Sequence, residues 1–164
     1  MLLVVLKPSK RAERYLENDN IDIIRLETVI NFIARYVDKR KKIEIIHIPF
    51  DIDCRKEDSE YFFSSKDIVI AGIYKNSKTT STRSKRLKYL IECLVHEFRH
   101  CLQEIIFKRS QKDIDYVSSD GDEYKNNILE KDARWFEEKY SKKAYDLYRF
   151  LKKCKVRNVE FFHE

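Results

Sequence analysis

Glycine and proline are nearly missing from this chain, with two of each in 164 residues. So few chain breakers exclude a turn-rich all-β sandwich and favour long regular elements. Cysteine occurs four times, as Cys54, Cys93, Cys101 and Cys154, and no two form a CxxC pair. That spacing excludes a cysteine zinc knuckle and makes no disulfide framework, so buried free thiols are expected. Long hydrophobic runs are lacking. The apolar start, residues 1–6, is closed at once by Lys7 and Pro8. It is too short for a signal peptide or a membrane span. The chain is therefore expected to be cytoplasmic, with no membrane contact. Charge of one sign is not concentrated either. The net charge of +6 is spread over residues 39–42, 75–88 and 142–157. A thin surplus of this kind is expected to be a solvated surface; it makes nucleic acid an unfavoured partner without excluding one.

What is present is a chain of one-domain size, 43% apolar and carrying 20 Tyr and Phe, enough for a real core. The whole of 1–164 is expected to be one unit. It divides into a helix-and-strand part (1–83), a first long helix (84–108), a second (123–153) and a tail (154–164). Residues 2–6, 43–48, 61–63 and 67–74 read as strands, rich in branched and aromatic residues. Residues 9–18 and 22–38 read as helices. The pattern predicts an α+β fold, with helices packed on one face of a small, mostly antiparallel sheet.

The strongest periodic segment is 84–107. Leu87, Ile91, Leu94, Phe98, Cys101 and Ile105 form one apolar stripe of a helix. His96, His100 and Gln103 lie on another. Residues four apart share a helix face, so His96 and His100 can offer two imidazole nitrogens to one metal ion. Glu97 then stands beside the metal and can take a proton from activated water as general base. The segment His96-Glu97-Phe98-Arg99-His100 is thus H-E-x-x-H, a pattern with a mechanism. It spends two of the four histidines.

A catalytic zinc needs a third protein ligand and one open position. Position 103 is Gln and no third His follows in the metzincin spacing. A carboxylate from the second long helix is the natural alternative. Glu130 is the best candidate, with the small Ala133 one turn on to allow close approach of the helices. Glu137 is next, then His163, with Glu123 and Glu104 weaker. Tyr116 and Tyr124, in or beside the loop between the two helices, are candidate oxyanion donors.

The stretch His96-Glu97-Phe98-Arg99-His100-Cys101-Leu102-Gln103, followed by Leu129-Glu130-Lys131-Asp132-Ala133-Arg134, resembles the gluzincin clan of zinc peptidases. It is most similar to the small single-domain minigluzincins and to metallopeptidase-like proteins of bacteria and phages. The resemblance spans residues 84–140. It implies a zincin-like fold, Zn2+ as cofactor, a peptide or protein substrate, His96, His100 and Glu130 as ligands, and Glu97 as general base. It also implies an edge strand ahead of the metal helix that pairs with extended substrate, placed at 67–74. Glu-x-Asp-Ala departs from the clan's Asn-Glu-x-x-Ser/Ala-Asp form. Asp132, two residues from Glu130, points elsewhere on an ideal helix. The other functional classes are a metal-binding regulatory protein that holds a protein or nucleic-acid partner without turnover, and a protease that cleaves a repressor. The aromatic tail, ending His163-Glu164, could pack on the sheet or fold into the cleft and keep the protein latent.

Overall fold

Strand β1 (Leu2–Pro8) buries Leu2, Val4 and Leu6 while Leu3, Val5 and Lys7 face outward. This is the alternation that a one-sided sheet imposes. The computed structural model describes residues 1–63, 65–71, 81–110 and 127–159. Among these, β1 is followed by α1 (Lys10–Asn18), α2 (Ile23–Val37), β2 (Glu44–Asp53), β3 (Glu60–Phe62), β4 (Asp67–Ala71), α3 (Arg83–Phe107) and α4 (Ile128–Lys153). The predicted helix at 123–153 starts at Ile128, and its residues 123–126 lie outside the described set. Each helix begins at a side-chain cap. Ser9, Asp22, Thr82 and Asn127 each accept a hydrogen bond from the first-turn backbone.

The α+β expectation holds, but the sheet is not mostly antiparallel. The strand order is β1-β2-β4-β3. β1 pairs with β2 in parallel, from Leu2 opposite Glu44 to Pro8 opposite Phe50. β2 pairs with β4 in parallel as well, and only β3 runs antiparallel to β4. The cause is the connection. α1 and α2 carry the chain from the end of β1 back to its start, so β2 must run the same way. β2 also runs past Pro49, where a strand end was expected. Pro49 points outward opposite Lys7, next to the end of β1, where a missing N–H is tolerated.

The strand 67–74 was expected at the edge; its described part, β4, lies between β2 and β3, and the outer strand on that side is β3. At the other side, α2 covers the free edge of β1. The Asn31 amide accepts from Val4 N at 2.7 Å and donates to Val4 O at 2.8 Å, and Glu27 accepts from Leu6 N at 2.9 Å. These bonds occupy backbone groups that would otherwise recruit another strand.

Ile48, Phe50, Ile52, Ile68 and Ile70 of the sheet share one core with Leu90, Ile91, Leu94 and Phe98 of α3, which lies against β4 and β3. Phe136, Tyr140, Tyr148 and Leu151 of α4 close the core from outside. α3 is thus sandwiched between sheet and α4, and buries residues on several faces. With glycine scarce, left-handed backbone falls to Asn20, Lys66, Lys108 and Lys155, at φ between 55° and 61°. Lys108 ends α3 this way, its N–H reaching Gln103 O. No described helix is long and apolar enough to cross a membrane.

Candidate metal centre

His96 and His100 project from one face of α3 toward α4, their ring centroids 5.2 Å apart. α4 answers with Glu130 in its first turn, where the helix N-terminus favours a carboxylate. Both imidazoles aim Nε2 at that carboxylate. Glu130 Oε1 lies 3.1 Å from His100 Nε2, and Oε2 lies 3.4 Å from His96 Nε2. Three potential ligand atoms, one from each residue, lie within 4.8 Å of one another and could hold a metal ion. A tetrahedral site with arms of about 2.0–2.1 Å has donor–donor edges of about 3.3 Å. The two histidine–carboxylate edges already match. Ala133 is wholly buried, as expected where α4 meets α3.

The outward nitrogens are also engaged. His96 Nδ1 is 3.1 Å from Glu137 Oε2, and His100 Nδ1 is 2.8 Å from Gln103 Oε1. Gln103 Nε2 donates to Leu129 O at 3.0 Å and to Asp132 Oδ2 at 2.8 Å. Both amide protons are therefore spent, which fixes the amide with its oxygen toward His100. His100 Nδ1 must then carry the proton, and the Nε2 lone pair points at the shared site. Arg99 grips Asp132 through Nε at 2.7 Å and Nη2 at 3.1 Å, and stacks over Phe107 and Phe136. Asp132, expected to point elsewhere than Glu130, braces His100 through Gln103.

Glu97 is buried beside the trio, 5% exposed. Burial pushes its carboxyl up to about 7, against the pull of His96 and His100. Burial pulls His96 down, but hydrogen bonds to Glu130 and Glu137 outweigh it and lift the imidazole to about 10. In the metal-free protein His96 is thus a cation between two carboxylates. A metal ion must displace that proton, so metal affinity rises with pH through the neutral range. Cys93 and Cys101 offer no competing thiolate, because burial pushes each thiol up to about 12. None of the four cysteines is in a disulfide, as expected, but only Cys101 is buried: Cys54 and Cys93 are half-buried and Cys154 is exposed on the surface at the end of α4.

A family model for proteins of unknown function, DUF3920, matches residues 26–149. The chain belongs to this DUF3920 family. The matched span runs from α2 into α4 and contains His96, Glu97, His100 and Glu130. No curated protein and no solved structure matches the chain.

Of the other predicted residues, Glu137 contacts the far nitrogen of His96 and does not join the trio. Glu104 accepts from the Tyr61 hydroxyl at 2.6 Å. Tyr116, Tyr124, Glu123 and His163 lie outside the described residues. The bracing set of Gln103, Asp132 and Arg99 emerges only from the packing of α4 on α3. Gln103 follows His100 by three, a spacing that already places it beside the ring. Gln103→Ala should weaken metal affinity by about 10–100-fold while leaving the helical circular-dichroism signal intact. Competition against a chromophoric chelator measures this.

Proposed function

We propose that this chain is a zinc-dependent metallopeptidase of the small gluzincin type. The observation that carries the reading is the convergence of His96 Nε2 and His100 Nε2 on the Glu130 carboxylate, with Glu97 buried next to them. Two nitrogens and one oxygen form the donor set of a catalytic zinc with one open position. When bound, zinc supplies Lewis acidity to a substrate carbonyl and lowers the pKa of water. Glu97 supplies the base: its carboxylate takes a proton and hands it to the leaving amine. Glu137, Gln103 and Asp132 hold the two imidazoles in the required orientation. Arg99 anchors Asp132, and through it the α3–α4 contact.

The likeness to zincins is supported by the active-site helix lying between sheet and glutamate helix. Substrate would pair with the outer strand β3 rather than with 67–74, since β4 already has neighbours on both sides. Tyr61 and Phe63 would line the wall below; the Phe63 ring lies 6.2 Å from that of His100.

Zinc reconstitution combined with a mixed peptide library tests the reading. One equivalent of zinc should bind, and mass spectrometry should find new cleavage products. A chelator should abolish them and added zinc restore them. Stoichiometric zinc without cleavage of any peptide would replace the peptidase with a metal-stapled binding protein.

A further inference from the structure

The charges that look scattered along the sequence are gathered by the fold. Tyr36 on α2 and Tyr140 on α4 meet edge to face, ring centroids 6.2 Å apart. Lys39 lies over the Tyr36 ring at 5.1 Å. Lys139 lies 5.4 Å from the Tyr140 ring centroid and 4.5 Å from that of Trp135. Lys143 approaches Tyr140 from the next turn at 5.8 Å. The result is one continuous surface of rings and lysines from Lys39 to Trp135. Tyr36 is 59% exposed and Trp135 53%, even with the lysines in place. Phe32, one turn before Tyr36 and 47% exposed, extends the row. Among the described residues these three lysines make no ion pair.

We infer that the face shared by α2 and α4 binds single-stranded nucleic acid, stacking bases on Trp135 and Tyr36 and pairing phosphates with Lys39, Lys139 and Lys143.

Such binding needs cations and exposed π-faces at one depth and close spacing, because each nucleotide presents a phosphate and a base together. This surface has that spacing. A membrane-seeking face instead sets an apolar stripe below a rim of cations, whereas here the cations lie on the rings themselves. A second copy of the chain fits poorly. A two-fold contact would bring Lys39, Lys139 and Lys143 against like charges. Of the exposed acidic groups on this stretch of α4, Asp146 is held by Lys142 at 2.8 Å, and Glu138, one turn on from Trp135, stands against three lysines and leaves the patch net positive. Glu130 and Glu137 leave α4 on another side, since two residues from Trp135 to Glu137 turn about 200°. The surface is therefore separate from the metal centre.

Trp135 is the only tryptophan in the chain, so its emission reports on this face alone. The full chain, kept in chelator so that the metal site plays no part, is titrated at low salt with DNA or RNA single strands of about 12 nucleotides. Emission should be quenched. The log–log salt slope should be about −2, for three phosphates neutralised. By anisotropy of labelled strands, Trp135→Ala and Tyr36→Ala should each weaken binding about tenfold or more. Lys139→Ala and Lys143→Ala should each flatten the salt slope by about 0.7. Circular dichroism verifies that each variant is folded. The proposal is overturned by any of four results: no quenching at low salt, unchanged affinity in a folded Trp135→Ala/Tyr36→Ala double variant, quenching by anionic vesicles but not by oligonucleotides, or emission that tracks protein concentration through self-association.

Discussion

Glu97→Gln should bind one equivalent of zinc with near-parental affinity and hydrolyse peptides about 10²–10⁴-fold more slowly. Gln has nearly the shape of Glu, so the buried pocket on α3 stays filled. None of the trio's contacts involves the Glu97 side chain. What disappears is the group to which the proposed mechanism gives the proton-accepting role. The pH profile gives a second, sharper readout. Burial pushes the Glu97 carboxyl up to about 7 in the metal-free protein. A cation held alongside favours the ionised form and draws that value down. On the proposed mechanism the carboxylate is the working form, so parental activity should fall as pH drops through an acid limb below 7. Glu97→Gln cannot titrate, so its residual rate should lack that limb. A variant as fast as the parent, with the limb intact, would remove Glu97 from the chemistry.

The helices were legible because the chain has so few breakers and because Ser9, Asp22, Thr82 and Asn127 are capping residues where caps are needed. His96, His100 and Glu130 were legible for a related reason. Helical spacing is a local property, and one small residue, Ala133, marks where two helices can touch. Strand direction was not legible. Whether β1 and β2 run parallel depends on how α1 and α2 fold back, and no residue of either strand encodes it. Pro49 misled in the same way. A proline ends a central strand only if its missing N–H faces a partner, which is a property of the register. In the sequence, Gln103 stands where the metzincin spacing has Gly. Its bracing role depends on Leu129 O and Asp132, which come from another helix. Asp132 fell to the same limit: helical geometry separates it from Glu130, but only the packing of α4 on α3 shows that it reaches Gln103 and Arg99.

Glu130→Ala should abolish stoichiometric zinc binding, a larger loss than the ~10–100-fold expected for an outer partner such as Gln103. Glu130 is the only carboxylate touching both Nε2 atoms in the described site, and His96 and His100 alone leave zinc two ligands short of a closed shell. Glu137 cannot substitute from where it stands. It holds His96 by Nδ1, on the far side of the ring from Nε2. Glu137→Gln should accordingly retain zinc, more weakly. A second effect follows in the metal-free protein, where Glu130 helps lift His96 to about 10. That group is stabilising below its unfolded value near 6.5, and the contribution is lost as pH rises toward 10. Removing Glu130 should lower the His96 titration midpoint, which histidine ring resonances followed by NMR would report. The two readouts separate the cases. Loss of zinc with a lowered His96 midpoint makes Glu130 the third ligand. Retained zinc in Glu130→Ala, with zinc lost from Glu137→Ala, would move the ligand about two turns along α4 and require His96 to rotate on binding.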